Sequence, residues 1–505
     1  MSSDRRSPDP LGKVAPAGAI GADALRAVYS PKLLEELYQR LGATLRRHFE
    51  GVCAGDGPVL NWESPPINIA AAQELLRHEP IVFRGDAQQF ANEVVERFER
   101  LTQTILDRGQ NLHHPHYIGH QVPASLPIGG VFDAVGAATN QVMAVYEMGP
   151  WATAIERALI AELGTAFGLR QPFAGLVTNG GSLANLTGLL TARNVRLQDV
   201  WERGMSGRSP AIIIVQQDAH YGIARSAGIL GLGTSQIRRA PLDAQRRMDP
   251  ERLEEMLRAA AAESTPVVAV VACSGATPTG AFDPLEPIAE ICQRYGVWLH
   301  VDAAHGGAVA LSSRHRHLIA GIEQSDSFIC DAHKMLFVPA LCAFVFYRQA
   351  EHRFSAFCQD APYLFDPSAP GMADYDCGLM TIECTKRGAA TGLWGVWSLF
   401  GPDFFGQLVD HVFALTRTFY EKLSTSPDFI PLHEPQSNIQ VFRFRDDGRE
   451  IDHPEIRRRL IESGKFYIAQ TRLDGVPALR CTVMNPLTTP QDLDELLENL
   501  AELRK

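Results

Sequence analysis

The sequence lacks the features that mark membrane proteins and secreted proteins. Nowhere do about 18 uncharged apolar residues follow one another, as a membrane-spanning helix requires. The N-terminal segment contains two adjacent arginines but no apolar run of signal-peptide length. The nine cysteines show no CxxC spacing, which favours reduced thiols over a disulfide framework. We therefore predict a cytoplasmic protein that has no membrane partner.

An excess of positive charge is also absent. The chain has 58 acidic residues against 47 lysines and arginines, a formal net charge of -11. Such a chain presents no basic field to a polyanion, so we expect no nucleic-acid partner and instead a small polar ligand. With 505 residues, 45% of them apolar, it can bury one large core and a smaller one.

The first part of the chain, residues 1–110, is predicted to form a helical arm. Ser30 can cap a helix whose leucines recur at helical spacing between Leu33 and Leu45. A loop rich in glycine and proline at 51–66 separates this helix from a second helical region at 86–108. The apolar stripe needs a partner surface, so we expect the arm to pack on another subunit.

Residues 111–395 have the pattern of a large α/β domain. Short aliphatic runs alternate with helical segments such as LEPIAEICQRYG (285–296), which is typical of buried parallel strands joined by crossover helices. The runs are AIIIV (211–215), VVAVVA (267–272), VWLHV (297–301) and CAFVFY (342–347). Residues 396–505 contain two strand-like pieces and a final leucine-rich helix, so a small α+β domain is predicted there.

Two charged residues follow strand-like runs in the predicted large domain. Asp302 lies in VDAAHGG (301–307), and Lys334 lies in SFICDAHKML (327–336). In wound α/β sheets the carboxyl ends of the strands form the active edge, so both side chains are expected there. Taken singly, such an aspartate is more often a loop cap and such a lysine a solvated surface group. The hypothesis that these two residues belong to an active site therefore depends on their occurring together.

Two further elements fit the same edge. Gly180, Gly181 and Ser182 lead into an apolar-faced helix, and a helix N-terminus with close backbone approach suits an anion such as a phosphate. A Gly-Gly-Ser helix start is, however, more often a simple cap. His220 follows the AIIIV run, where its ring could stack on a bound group.

Together these elements resemble the pyridoxal-phosphate-dependent group II amino acid decarboxylases. That family includes the glutamate, aromatic amino acid, cysteine sulfinate and diaminobutyrate decarboxylases. The motifs occur in the family's order: HHPHYIGHQ (113–121), the Gly-Gly-Ser helix start, AHY around His220, VDAAHGG, DAHK and LRCTVMNPLTT (479–489). The resemblance implies an aspartate-aminotransferase-like (fold type I) large domain with a mainly parallel seven-stranded sheet. It also implies a helical N-terminal arm, a small α+β C-terminal domain and a homodimer with shared active sites.

The same resemblance implies pyridoxal 5'-phosphate as the cofactor and assigns residues to it. Lys334 resembles the lysine that carries the cofactor as a Schiff base, Asp302 the partner of the pyridine nitrogen, and His220 the stacked histidine. The other implied cofactor contacts are Ala304 beneath the ring, Thr277 near the phenolic oxygen, and Gly181, Ser182 and His333 at the phosphate. No metal is expected.

The implied reaction is decarboxylation of an amino acid to an amine and carbon dioxide, the activity of a carboxy-lyase. Tyr363, in APYLF, occupies the place of the family's proton-donating loop tyrosine. Two alternatives remain: a pyridoxal enzyme that makes an aldehyde by oxidative deamination or performs transaminase-like chemistry, and a non-catalytic relative.

The residues expected at the substrate depart from the family pattern. His116 stands where arginine is frequent, with His120 nearby, and His305 stands where relatives often have a bulky aromatic residue. In CTKRGAATGLW (384–394), Lys386 with the following arginine replaces the usual pair of arginines, and Gly392 replaces a lysine. Because lysine lacks the planar fork of arginine, the substrate side chain stays undecided among acidic, basic and aromatic.

Overall fold

The computed structural model describes residues 20–357, 374–445, 448 and 451–504. It divides into two units: one holds the described residues up to His114 together with Ile461–Phe466, and the other holds the remainder. The three predicted domains, with boundaries after residues 110 and 395, stay a prediction. Among the described helices, none combines the length and the apolar composition needed to span a membrane.

The first unit is helical, as its apolar spacing predicts. Its helices are α1 (Ala22–Val28), α2 (Pro31–Cys53), α3 (Pro65–Leu76) and α4 (Ala87–Arg108). Ser30 caps α2 by accepting a hydrogen bond from Leu33 N at 3.4 Å, and Asp86 caps α4 in the same way. Helix α3 begins inside the segment 51–66 that was predicted to be a loop, because Pro65 and Pro66 occupy its first turn, where proline is tolerated.

The second unit alternates strands and helices. Its first half contains β1 (Tyr117–Ile118), α5 (Pro127–Ala138), β2 (Val142–Met143), α6 (Pro150–Ala166), β3 (Ala174–Thr178), α7 (Gly181–Arg196), α8 (Val200–Arg203), β4 (Ile212–Gln216), α9 (Tyr221–Ile229), β5 (Ile237–Ala240), α10 (Pro250–Ala262) and β6 (Val267–Cys273). Its second half contains α11 (Leu285–Tyr295), β7 (Trp298–Asp302), β8 (Ser327–Asp331), β9 (Ala343–Tyr347), β10 (Lys386–Arg387), α12 (Thr391–Phe400), α13 (Pro402–Thr425), β11 (Phe429–Pro431), β12 (Ile439–Phe444), α14 (His453–Glu462), β13 (Tyr467–Leu473), β14 (Val476–Thr482) and α15 (Pro490–Arg504).

The predicted seven-stranded sheet is present and has the order β3-β9-β8-β7-β6-β4-β5. Strands β5, β4, β6, β7 and β8 run parallel, whereas β9 pairs antiparallel with β8 and β3. Every residue of β4, β7, β8 and β9 is buried, which explains why these strands appear in the sequence as continuous apolar runs. The parallel strands bring the turns after β4, β6, β7 and β8 to one edge.

A second sheet has the order β1-β13-β14-β12-β11 and contains the two strand-like pieces predicted near the C-terminus. Strand β14 pairs antiparallel with both β12 and β13. The final helix α15 buries Leu493, Leu496 and Leu500, the spacing expected of one apolar face. A further two-stranded sheet joins β10 to β2.

Candidate active site

A cavity of about 350 Å³ lies at the carboxyl edge of the large sheet. Its walls come from the segments that follow β3, β4, β6, β7 and β8. All eight residues that the sequence assigns to the cofactor line it: Gly181, Ser182, His220, Thr277, Asp302, Ala304, His333 and Lys334. Residues spread over more than 150 positions of the sequence therefore meet in one place, as the sheet topology requires.

Lys334 is placed by the turn that follows β8. Its Nζ lies 3.1 Å from Oδ2 of Asp331, the last residue of that strand, and about a fifth of its side chain is exposed. Asp331 is buried, and its Oδ1 has no hydrogen-bond partner among the described residues. The amine is thus held at the cavity wall by a neighbouring carboxylate and stays accessible from the cavity.

Asp302 is the last residue of β7 and is almost fully buried. Its Oδ2 accepts a hydrogen bond from Asn185 Nδ2 at 3.0 Å, and its Oδ1 accepts one from the backbone N–H of Ala304 at 3.2 Å. The carboxylate is therefore held on both oxygens while it faces the same cavity as Lys334.

The start of α7 forms another wall of the cavity. Gly180 has φ +98°, a conformation that favours glycine, and the helix begins at the next residue. A Cβ on Gly181 would lie 2.5 Å from Asp331 Oδ2. The helix start therefore approaches the end of β8 more closely than a side chain at position 181 would allow. The first amides of a helix have no partner within the helix, and with Ser182 they suit a phosphate.

His220 caps helix α9 and is held by it. Its Nδ1 accepts a hydrogen bond from Gly222 N at 3.1 Å, so this nitrogen carries a lone pair. Burial lowers the pKa of His220; the negative charge of Asp302 opposes this effect, and the positive charge of Lys334 adds to it. A neutral ring with a fixed orientation is suited to stacking on a flat aromatic ligand.

These groups match the parts of pyridoxal phosphate in number and kind. An accessible amine suits its aldehyde, a buried carboxylate suits its pyridine nitrogen, and an uncapped helix start suits its phosphate. Lys334 is the only lysine among the described residues that line the cavity. The residues present therefore fit this cofactor.

The residues predicted to meet the substrate lie elsewhere among the described residues. His116 Nε2 lies 3.0 Å from Asp492 Oδ1, and Lys386 Nζ forms a buried ion pair with Glu156 at 2.8 Å. The ring of His120 packs against Tyr467, with their centroids 5.6 Å apart. None of these three predicted residues lines the cavity as described, and their role at the substrate stays a prediction. Tyr363 lies outside the described residues.

Asn185 lines the cavity but was not singled out in the sequence, and neither was Arg480, whereas His305, named above for its departure from the family pattern, lines the cavity. Asn185 lies one helical turn after Gly181, a spacing that could have placed it on the same face. His305 Nε2 lies 2.7 Å from Asn438 Oδ1, and burial lowers the pKa of His305 to about 3. Arg480 is buried in β14, and its Nε and Nη2 have no partner among the described residues. An arginine inside the apolar pattern of β14 is the signal that could have identified it.

Comparisons with known proteins identify the family to which this chain is similar. Residues 82–445 match the family described as "Pyridoxal-dependent decarboxylase conserved domain". The chain is 30% identical over 431 residues to the acidic amino acid decarboxylase GADL1 of Bos taurus, covering 82% of each chain. It is also 30% identical over 431 residues to the cysteine sulfinic acid decarboxylase of Rattus norvegicus, covering 82% of this chain and 87% of the relative. The fold is also similar to the crystal structure of mouse CSAD, with a TM-score of 0.82 and 27% sequence identity. The match covers 94% of this chain and 99% of that chain.

Proposed function

Because the chain belongs to the pyridoxal-dependent decarboxylase family, we propose that Lys334 carries the cofactor and that the cavity around it is the site of decarboxylation. The protein is a pyridoxal-phosphate-dependent amino acid carboxy-lyase of fold type I. The observation that carries the residue assignment is the position of Lys334, Asp302 and the start of α7 around one cavity. The relatives are named as decarboxylases, so the aldehyde-forming and transaminase-like alternatives are not favoured.

When bound, pyridoxal phosphate supplies a conjugated electron sink that weakens the bonds at the substrate α-carbon. In this proposal Asp302 would hold a protonated ring nitrogen by charge, and the start of α7 with Ser182 would bind the phosphate. His220 would pack its neutral ring on the cofactor, and Thr277 and Ala304 would complete the wall. Together these residues would hold the cofactor in one orientation in the cavity.

We further propose that Tyr363 delivers the proton that replaces carbon dioxide on the α-carbon. The support for this step is the resemblance of APYLF to the family's loop tyrosine, since Tyr363 lies outside the described residues. A positioned general acid determines whether an amine or another product forms. The ratio of amine to aldehyde made by Tyr363→Phe in air would test the step.

For the substrate we propose an amino acid with an acidic side chain. Burial and the charge of Lys334 lower the pKa of His305, a residue of the cavity wall, and the positive charge of Arg480 adds to this effect, so the guanidinium acts electrostatically on the cavity wall. A guanidinium with unpartnered nitrogens binds a carboxylate or a sulfinate well. The relatives named for acidic amino acids and for cysteine sulfinic acid support the same class. Faster turnover of tryptophan or diaminobutyrate than of any acidic amino acid would contradict it.

We also propose a homodimer located in the cytoplasm. Helix α3 has no buried side chain and exposes Ile67, Ile69 and Leu76, which is consistent with a surface that another subunit covers. The cysteines among the described residues are all free thiols, as expected in a reducing compartment.

The decisive experiment asks which lysine holds the cofactor. The purified enzyme is loaded with pyridoxal phosphate and reduced with borohydride, and its peptides are then analysed by mass spectrometry. We expect the label on the peptide that contains Lys334, and we expect Lys334→Ala to lose both the label and turnover. Lys465→Ala, which removes an exposed lysine, serves as the control. A label on any other lysine would refute the assignment.

A further inference from the structure

A chain of buried polar side chains runs from Asp302 into the large sheet. Asn185 Nδ2 lies 3.0 Å from Asp302 Oδ2, and Asn185 Oδ1 lies 2.9 Å from His300 Nε2. On the other side of the imidazole, His300 Nδ1 lies 2.8 Å from Ser327 Oγ. That hydroxyl oxygen in turn lies 2.9 Å from Trp298 Nε1. The five side chains connect the cavity wall to the first residue of β7.

The chemistry of these groups gives the chain one direction. A carboxylate can only accept, so Asn185 Nδ2 donates to Asp302, and Asn185 Oδ1 is left to accept from His300 Nε2. Burial lowers the pKa of His300 to about 4, so the ring is neutral near pH 7 and its one proton is on Nε2. His300 Nδ1 then accepts from the Ser327 hydroxyl, whose oxygen accepts from the indole N–H of Trp298. Every donor therefore points toward the carboxylate.

Packing prevents the imidazole from taking another orientation. Asn185, His300 and Ser327 are all buried, so no water competes for their hydrogen bonds. A Cβ on Gly188 would lie 2.6 Å from His300 Cε1 and 2.9 Å from its Nδ1, so the glycine on α7 makes room for the ring. The ring is confined between α7 and the sheet, and its orientation is set by the protein alone.

We propose that Asn185 and His300 are positioning residues that fix the orientation of the Asp302 carboxylate through this one-way chain of donors. The inference rests on the proposed function, because it takes Asp302 as the partner of the cofactor's ring nitrogen. Asn185 occupies one oxygen and the Ala304 amide the other, so the remaining lone pairs have a fixed direction toward the cavity. Neither residue touches the reacting atoms in this arrangement.

Two substitutions of His300 distinguish the loss of its hydrogen bond to Asn185 from the loss of the imidazole ring itself. The amide of His300→Gln reaches the place of Nε2 and can still donate to Asn185, whereas that of His300→Asn reaches only the place of Nδ1. Losing a hydrogen bond to a charged group, or leaving a buried polar group without its partner, is worth about tenfold to hundredfold in an equilibrium. We expect the holoenzyme of His300→Asn, and likewise of Asn185→Leu, to release pyridoxal phosphate at least about tenfold faster than the wild type. His300→Gln should stay within about threefold of the wild type.

Cofactor release is measured as the loss of the bound cofactor's absorbance after dilution, with turnover measured in parallel. Unchanged release in both His300→Asn and Asn185→Leu would overturn the proposal, as would equal losses in His300→Gln and His300→Asn. If Asn185→Leu fails to fold, the comparison of the two His300 variants decides the matter.

A second measurement does not depend on the cofactor or on activity. In the apoprotein with ¹⁵N-labelled histidine, the signal that disappears in His300→Gln belongs to His300. We expect it to show a neutral ring protonated on Nε2 between about pH 6 and 8. A proton on Nδ1 would overturn the direction of the chain while leaving borohydride labelling of Lys334 untouched. Conversely, a label on another lysine would refute the proposed function without changing this tautomer.

Discussion

At the scale of single residues, the buried ion pair of Lys386 and Glu156 has a consequence for stability. Lys386 Nζ contacts both carboxylate oxygens at 2.8 and 2.9 Å and donates to Val177 O at 2.6 Å. Glu156 Oε1 also accepts from Val177 N. The ammonium thus makes these three contacts inside the protein, at the edge strand β3.

We therefore predict that Lys386→Met destabilises the protein by about 3–5 kcal/mol, because Glu156 would keep a buried charge without its partner. Urea unfolding of the apoprotein measures this loss. The double variant Glu156→Gln, Lys386→Met is the matched control and should recover part of the stability, since it removes both charges. A Lys386→Met protein with unchanged unfolding and a raised KM would instead support the role at the substrate that the sequence suggested.

The residue-scale features that the sequence could predict are those tied to strand ends. Asp302 and Lys334 follow buried apolar runs, so their position at the sheet edge follows from topology alone. The partners of these residues could not be predicted in the same way. The contact of Asn185 with His300 depends on how α7 is rotated against the sheet, and Arg480 reaches the region of His305 from a strand 175 positions later.

At the scale of elements, helix α7 connects the cavity to the sheet. It begins at Gly181, where its first amides face the cavity, and it continues over β7 and β8 through Asn185 and Gly188. The sequence predicted this helix from its leucine spacing, but the close contact with Asp331 depends on the missing side chain of Gly181. Small residues on this helix therefore determine how near the phosphate-binding amides come to Lys334.

This close approach predicts the effect of Gly181→Ala. The added methyl group would lie 2.5 Å from Asp331 Oδ2, so either the carboxylate or the helix start must move. Overpacking of this kind costs about 1–3 kcal/mol, and 1.4 kcal/mol is tenfold in affinity. We expect the dissociation constant of pyridoxal phosphate, measured by titration of the apoprotein, to rise about tenfold.

Gly42→Ala provides the control for this substitution. Gly42 lies inside α2 with no atom within 4 Å of an added Cβ, so alanine should stabilise the helix by about 0.5–1 kcal/mol and leave cofactor affinity unchanged. Equal cofactor affinity in both variants would show that the start of α7 does not bind the phosphate.

At the scale of the whole molecule, the second unit joins two sheets near the cavity. His305, after β7, bonds to Asn438, just before β12, and Phe282 N donates to Gln436 Oε1 at 2.9 Å. The sequence predicted both sheets from their apolar runs. It could not predict that the loops between them meet, because contacts between distant loops leave no periodic pattern in the sequence. Arg480 of the second sheet contributes to the electrostatic field at His305, which lies in the wall of a cavity built by the first.

The arm's exposed apolar surface gives the last prediction, which concerns assembly. The cluster of buried apolar side chains in the first unit contains Ala27, Leu33, Phe90 and Val95, whereas α3 buries none of its residues. Covering a residue such as Ile69 contributes about 1.5–3 kcal/mol, so a second copy that covers α3 would be strongly favoured. Light scattering should therefore give about twice the chain mass of 55.4 kDa.

The substitution Ile69→Asp should weaken this dimer by at least about tenfold, because it places a charge where an apolar side chain is to be covered. Gln73→Asp introduces the same charge on the same helix without removing an apolar side chain, and its dimer should dissociate less. Because the active sites are expected to be shared between subunits, dilution of Ile69→Asp below its dissociation constant should also reduce turnover. A wild-type mass of one chain with full turnover at the same concentration would show that no second copy covers α3.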